Sequence, residues 1–87
     1  MNRNGRFMPS VQFSYNHCRH ILKRAGAVQV SPEAVEELQS IMEEIAFDIS
    51  KRAVLFADDK ERFKVKREDV IAGTKEFLES HTVLRSV

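Results

Sequence analysis

SPEAVEELQSIMEEIAFDISKRAVLFA, residues 31–57, is the stretch whose pattern sets the fold. Ser31 is an N-cap residue, Pro32 suits the first helical position, and Glu33 lies against the positive end of the helix dipole. Val35, Leu38, Ile41, Met42, Ile45, Ile49, Ala53 and Phe56 then recur at three- and four-residue spacing, with neither Gly nor Pro before Ala57. The pattern predicts a helix of about 26 residues, ~39 Å long at ~1.5 Å per residue. A compact monomer of this chain length is only ~30 Å across. The apolar arc of the helix is wide and broadens towards Val54, Leu55 and Phe56. Short flanking helices cannot cover all of it, so the expectation is a dimer, built from two copies or with a related chain. Leu38, Met42, Ile45, Ile49 and Phe56 are its expected core.

Working outward, Tyr15, Cys18, Ile21, Leu22 and Ala25 predict a short amphipathic helix over 15–25, stopped at Gly26. Residues 27–30 suit a brief extended segment. Beyond the long helix, 58–64 reads as a charged loop and 63–65 as a second extended piece. A third helix over about 66–79 carries Val70, Ile71, Phe77 and Leu78, with Glu68 and Asp69 in its first turn. Residues 1–14 read as a basic N-terminal arm, 15–79 as the folded domain and 80–87, with Val83 and Leu84, as a tail. The expected class is all-α: short helix, long helix, short helix, with two short loop strands.

Composition narrows the function. Eighty-seven residues with one Cys exclude a disulfide framework and a cysteine-rich zinc module. No apolar run reaches the ~18–20 residues that span a bilayer, so no membrane partner is expected and an intracellular location is. The net charge of +1 names no partner, but its distribution does. Residues 1–24 hold five bases and no acid, 25–58 hold seven acids against Lys51 and Arg52, and five bases lie between Lys60 and Arg67. Such patches attract partners where the average does not.

The order of elements resembles the histone fold, and the residues resemble those of archaeal histones. HILKRAGA (20–27) looks like the end of that family's first helix. Val30-Ser31 with Ala34, Leu38, Glu43, Glu44, Asp48, Ile49 and Ala53 matches its long helix without a gap. Arg62, Lys66, Glu68 and Asp69 match its second loop and third helix. The resemblance implies a handshake dimer in which 28–30 of one chain pairs with 63–65 of the other. It implies a structural ion pair between Arg62 and Asp69, and sequence-tolerant binding of double-stranded DNA by a dimer that compacts, bends or bridges it. Affinity would come mainly from counterion release. Arg19, Lys23, Arg62, Lys64 and Lys66 are the expected DNA-binding residues, in a cytoplasmic, nucleoid-associated protein.

This chain also departs from that family. Gln29 and Phe63 stand where bases are usual, Lys64 replaces a usual Thr, and Asp59 stands where a His commonly helps dimers join. These changes predict weaker DNA binding and no continuous stacking of dimers through the Asp59 end. The alternative function is a histone-fold interaction module that touches DNA little, with Phe47 and Val54 as a possible partner surface. His17, Cys18 and His20 crowd one helical turn and cannot converge on one ion, so no metal or other cofactor is expected. Glu36, Glu37, Glu43, Glu44 and Asp48 read as a solvated helix face. No nucleophile–base, paired-carboxylate or phosphate-loop arrangement exists, and no enzymatic activity is expected.

Overall fold

The computed structural model describes residues 13–81. The arm expected over 1–14 therefore falls almost wholly outside the described residues, as does the tail from residue 82 onward. Three helices follow in order: α1 (Tyr15–Arg24), α2 (Pro32–Asp59) and α3 (Arg67–Ser80). The chain divides into two compact units, with the boundary inside α2 between Glu44 and Ile45. Among the described residues no strand forms. Residues 28–30 and 63–65 remain loop, because an extended segment forms a ladder only beside a second one.

In the first unit, Ser14 caps α1 by accepting the His17 N–H at 3.3 Å. The other end closes through Ala25 N–H to the Ile21 carbonyl and Ala27 N–H to the Leu22 carbonyl, around Gly26 at φ +117°. That backbone value favours glycine, which is why the helix stops there. Ser31 precedes α2, and its Oγ accepts the Ala34 N–H at 3.1 Å. The segment before α1 is held to α2 by side chains. Gln39 Nε2 donates to the Phe13 carbonyl at 2.7 Å, and Phe13 N–H donates to Glu43 at 3.3 Å. Cys18 and Val35 are the fully covered apolar side chains among the described residues of this unit.

In the second unit, α3 approaches the C-terminal half of α2 at Gly73. A Cβ placed there would lie 2.9 Å from the Ile49 carbonyl oxygen and 3.0 Å from the Ala53 nitrogen. Ala53 and Ala57 are buried beside this approach. Small residues let the two backbones come together, and a larger one would hold them apart.

Four boundaries differ from the sequence expectation: α1 ends one residue early at Arg24, α3 ends one residue late at Ser80, and the other two have visible causes. The long helix continues through Asp58 and Asp59 to a length of 28 residues, so the charged loop begins only at Lys60. Ala57 faces inward, and its carbonyl accepts both Lys60 N–H and Arg62 N–H. The stop is made by Glu61 at φ +57°, a left-handed position taken without glycine and so carrying no sequence signal. The third helix starts one residue late, because Lys66 is extended (φ −109°, ψ 170°) and serves as its N-cap position.

Candidate functional site

The site is built around the turn from Lys60 to Lys66. Arg62 is its organising residue. Its Nη1 donates to Asp69 Oδ2 at 2.8 Å and to the Lys64 carbonyl at 2.9 Å. Its Nη2 donates to Asp69 Oδ1 at 3.0 Å and to Glu68 Oε2 at 3.1 Å. Asp69 is completely covered and also accepts the Lys66 N–H at 2.8 Å. Lys60 adds longer contacts, 3.4 Å to Glu68 and 3.7 Å to Asp69. The Arg62 bonds first, and the Lys66 N–H second, hold the Asp69 carboxyl well below the usual carboxylate range. The bonds to Asp69 push the Arg62 guanidinium up.

The turn therefore has an inner and an outer side. Arg62 spends its donors on Asp69, Glu68 and the Lys64 carbonyl, so it shapes the loop. Lys64 and Lys66 are exposed and form no ion pair among the described residues. Phe63, between Arg62 and Lys64, is 109% exposed.

The other candidate residues lie apart from this turn in sequence. Arg19 is exposed on α1. Lys23 is exposed too, but its Nζ donates to the Val28 carbonyl at 2.8 Å and clasps the loop that follows α1. Leu38, Met42, Ile45, Ile49 and Phe56 are each half-buried within the single chain. Phe47 and Val54 are exposed on α2, with Lys51 Nζ 5.1 Å from the Phe47 ring centre. Asp58 and Asp59 are exposed at the end of that helix. His17 and His20 are exposed while Cys18 is buried. No group of three metal-ligating side chains gathers among the described residues. No helix there is long and apolar enough to cross a membrane.

Arg52 is the residue that sequence reasoning missed. It bonds Asp48 at 2.8 Å, Glu76 at 3.2 Å and Ser80 Oγ at 3.5 Å, fastening α3 to α2. The Asp48–Arg52 spacing of four was a readable signal; Glu76 was not.

Among the described residues thirteen large apolar side chains are exposed, while the buried apolar set is Cys18, Val35, Ala53 and Ala57. That balance is unusual for a soluble monomer, which seldom leaves large contiguous apolar areas to water.

No protein-family model matches the chain. It is 41% identical over 58 residues to a Methanocaldococcus jannaschii protein called "Probable archaeal histone 3", a match spanning 67% of this chain and 87% of that protein. It is 38% identical over 55 residues to one of the chains of the archaeal histone HAN1 from Thermococcus zilligii, spanning 63% of this chain and 82% of that protein.

Proposed function

The chain belongs to the archaeal histone family and has its all-α histone fold, and from that premise we propose that it binds duplex DNA through the phosphate backbone, as a homodimer, without strong sequence preference. The observation that carries this reading is the second loop. The half-buried Arg62, forked onto the buried Asp69, stiffens it and leaves Lys64 and Lys66 facing water. Five cations stand against three carboxylates between residues 60 and 69, and Glu68 and Asp69 are already engaged by Arg62. Phosphates, closely spaced and singly charged, suit such a rim. Dimerisation accounts for the exposed apolar surface of α2 and α3, including Ile41, Leu55, Val70 and Ile71, and for the half-buried Leu38 to Phe56 set. Compaction, bending or bridging of DNA, and association with the chromosome, follow from the same reading.

Counting Lys64, Lys66 and Arg19 from each of two chains gives about six phosphate contacts, hence a log–log salt slope near −5. Affinity measured by anisotropy should fall roughly 10³-fold between about 50 and 200 mM salt. A second reading, a histone-fold interaction module, is favoured by Gln29 and Phe63 standing where bases are usual in the family. A dimer in the ultracentrifuge that retards no DNA at low salt would establish that reading instead.

A further inference from the structure

We propose that Phe63 is an aromatic wedge that enters the base stack of duplex DNA beside the phosphate contacts of Lys64 and Lys66; this deepens the DNA-binding reading and rests on it. Phe63 is the most exposed of the large apolar side chains among the described residues, ahead of Val28 at 84%. Ile41, Leu55, Val70, Ile71 and Leu78 on the helices are about half covered, whereas Phe63 on the loop is 109% exposed within the single chain. Nor does it stand on a loose loop. Arg62 on one side donates to the carbonyl of Lys64 on the other, so a guanidinium bridges the residues flanking Phe63 and places it at the apex. Asp69 fixes that guanidinium in turn, and holds Lys66 through its N–H. The ring is presented by a preorganised turn, so little backbone ordering is left to be lost on binding.

The neighbours identify the occupant. An apolar ring of ~150–250 Å² gains from leaving water, while the exposed lysines beside it require anions. Glu68 is exposed but paired with Arg62 and Lys60, and Glu61 is exposed near the apex as well. A duplex offers planar apolar groups between two anionic backbones, which is the pairing this apex presents. Entry of a side chain between base pairs unstacks them and kinks the helix. The cost is lowest at flexible pyrimidine–purine steps, so a backbone-binding protein would acquire a mild preference for TA and CA/TG.

The chain contains no tryptophan, so Phe63→Trp places a single reporter at the apex. In the full-length protein at low salt, its emission should be unshifted before DNA is added and strongly quenched as duplex binds. The unaltered protein should promote ring closure of ~150-bp fragments, and Phe63→Ala should lose that effect and about tenfold in affinity while keeping the salt slope. Unchanged emission within a complex visible by gel shift would overturn the wedge while sparing the DNA-binding reading. So would emission already blue-shifted in the free protein, which would mean a second copy covers the ring. A response to anionic vesicles or an acidic peptide but not to duplex would overturn it in favour of those partners. If the unaltered protein retards no DNA, both readings fall together.

Discussion

Arg62 and Asp69 face each other fork to fork, with Nη1 2.8 Å from Oδ2 and Nη2 3.0 Å from Oδ1, across a carboxylate that no water reaches. The two residues are seven apart, one ending the turn after α2 and the other in the first turn of α3. Their pairing makes the loop and the helix start one rigid object. Planar, bidentate geometry of this kind is what arginine provides and lysine does not.

The pair links stability to acidity. Asp69 has a depressed pKa in the folded chain, while an unfolded Asp titrates near ~3.9. Above that unfolded value its contribution is fully present; it drains away as pH falls through the lower folded value, because the unfolded chain then binds the proton more readily. Asp69→Asn removes the contribution at neutral pH. Urea midpoints recorded from pH 7 down to pH 2 should show the two proteins far apart at neutrality and converging below about pH 4. A gap that stays constant through that range would mean Asp69 is not the linked group.

Gly73 marks the tightest approach of α3 to α2, and the obstacles facing an added methyl are backbone atoms of Ile49 and Ala53. Backbone cannot rotate away as a side-chain tip can. Gly73→Ala gains up to ~1 kcal/mol in helix propensity but forces the helices apart, at a cost of ~1–3 kcal/mol. The balance is destabilising. Thermal melts at one fixed protein concentration should show a lower Tm, and an unchanged or higher Tm would contradict the close approach.

The long helix was legible because periodicity and cap chemistry agree along it: Ser31, Pro32 and an unbroken apolar stripe to Phe56. Its end was not, because Glu61 occupies a left-handed position that sequence reasoning assigns to glycine. The Arg62–Asp69 pair entered through family resemblance; spacing alone does not tell a buried fork from two solvated charges. Lys23 illustrates the remaining limit. Its charge is visible in the sequence, but the Val28 carbonyl that receives its ammonium depends on how the chain turns at Gly26. Glu76 likewise meets Arg52 from 24 residues away. Local pattern shows which side chains carry charge, and the turns decide what each one meets.

Asp58 and Asp59 end α2 side by side, exposed, with no basic residue in that last turn. The negative end of the helix dipole adds to their charge. A symmetric contact between dimers at this end would bring like charges together. The protein should therefore sediment as a dimer at moderate salt, and Asp58→Asn/Asp59→Asn should shift it towards larger species as the repulsion is removed. Tetramers of the unaltered protein joined through this end would contradict the argument.

Lys64 and Arg62 are two residues apart, yet their removal should be read by different instruments. Lys64 faces water, so Lys64→Ala deletes one phosphate contact per chain; in a dimer the salt slope should become shallower by about 1.8, with no change in Tm. Lys66→Ala should act the same way, and the loss should be equal on all duplex sequences, since backbone contacts carry no sequence information. Arg62 has committed its guanidinium to Asp69, Glu68 and the Lys64 carbonyl. Arg62→Lys keeps the charge but breaks the fork, so it should lower Tm and leave the slope close to that of the unaltered protein. Paired melting and salt-titration experiments on the three variants separate the roles. If Arg62→Lys changed the slope as Lys64→Ala does, Arg62 would be a phosphate contact and not the residue that shapes the loop.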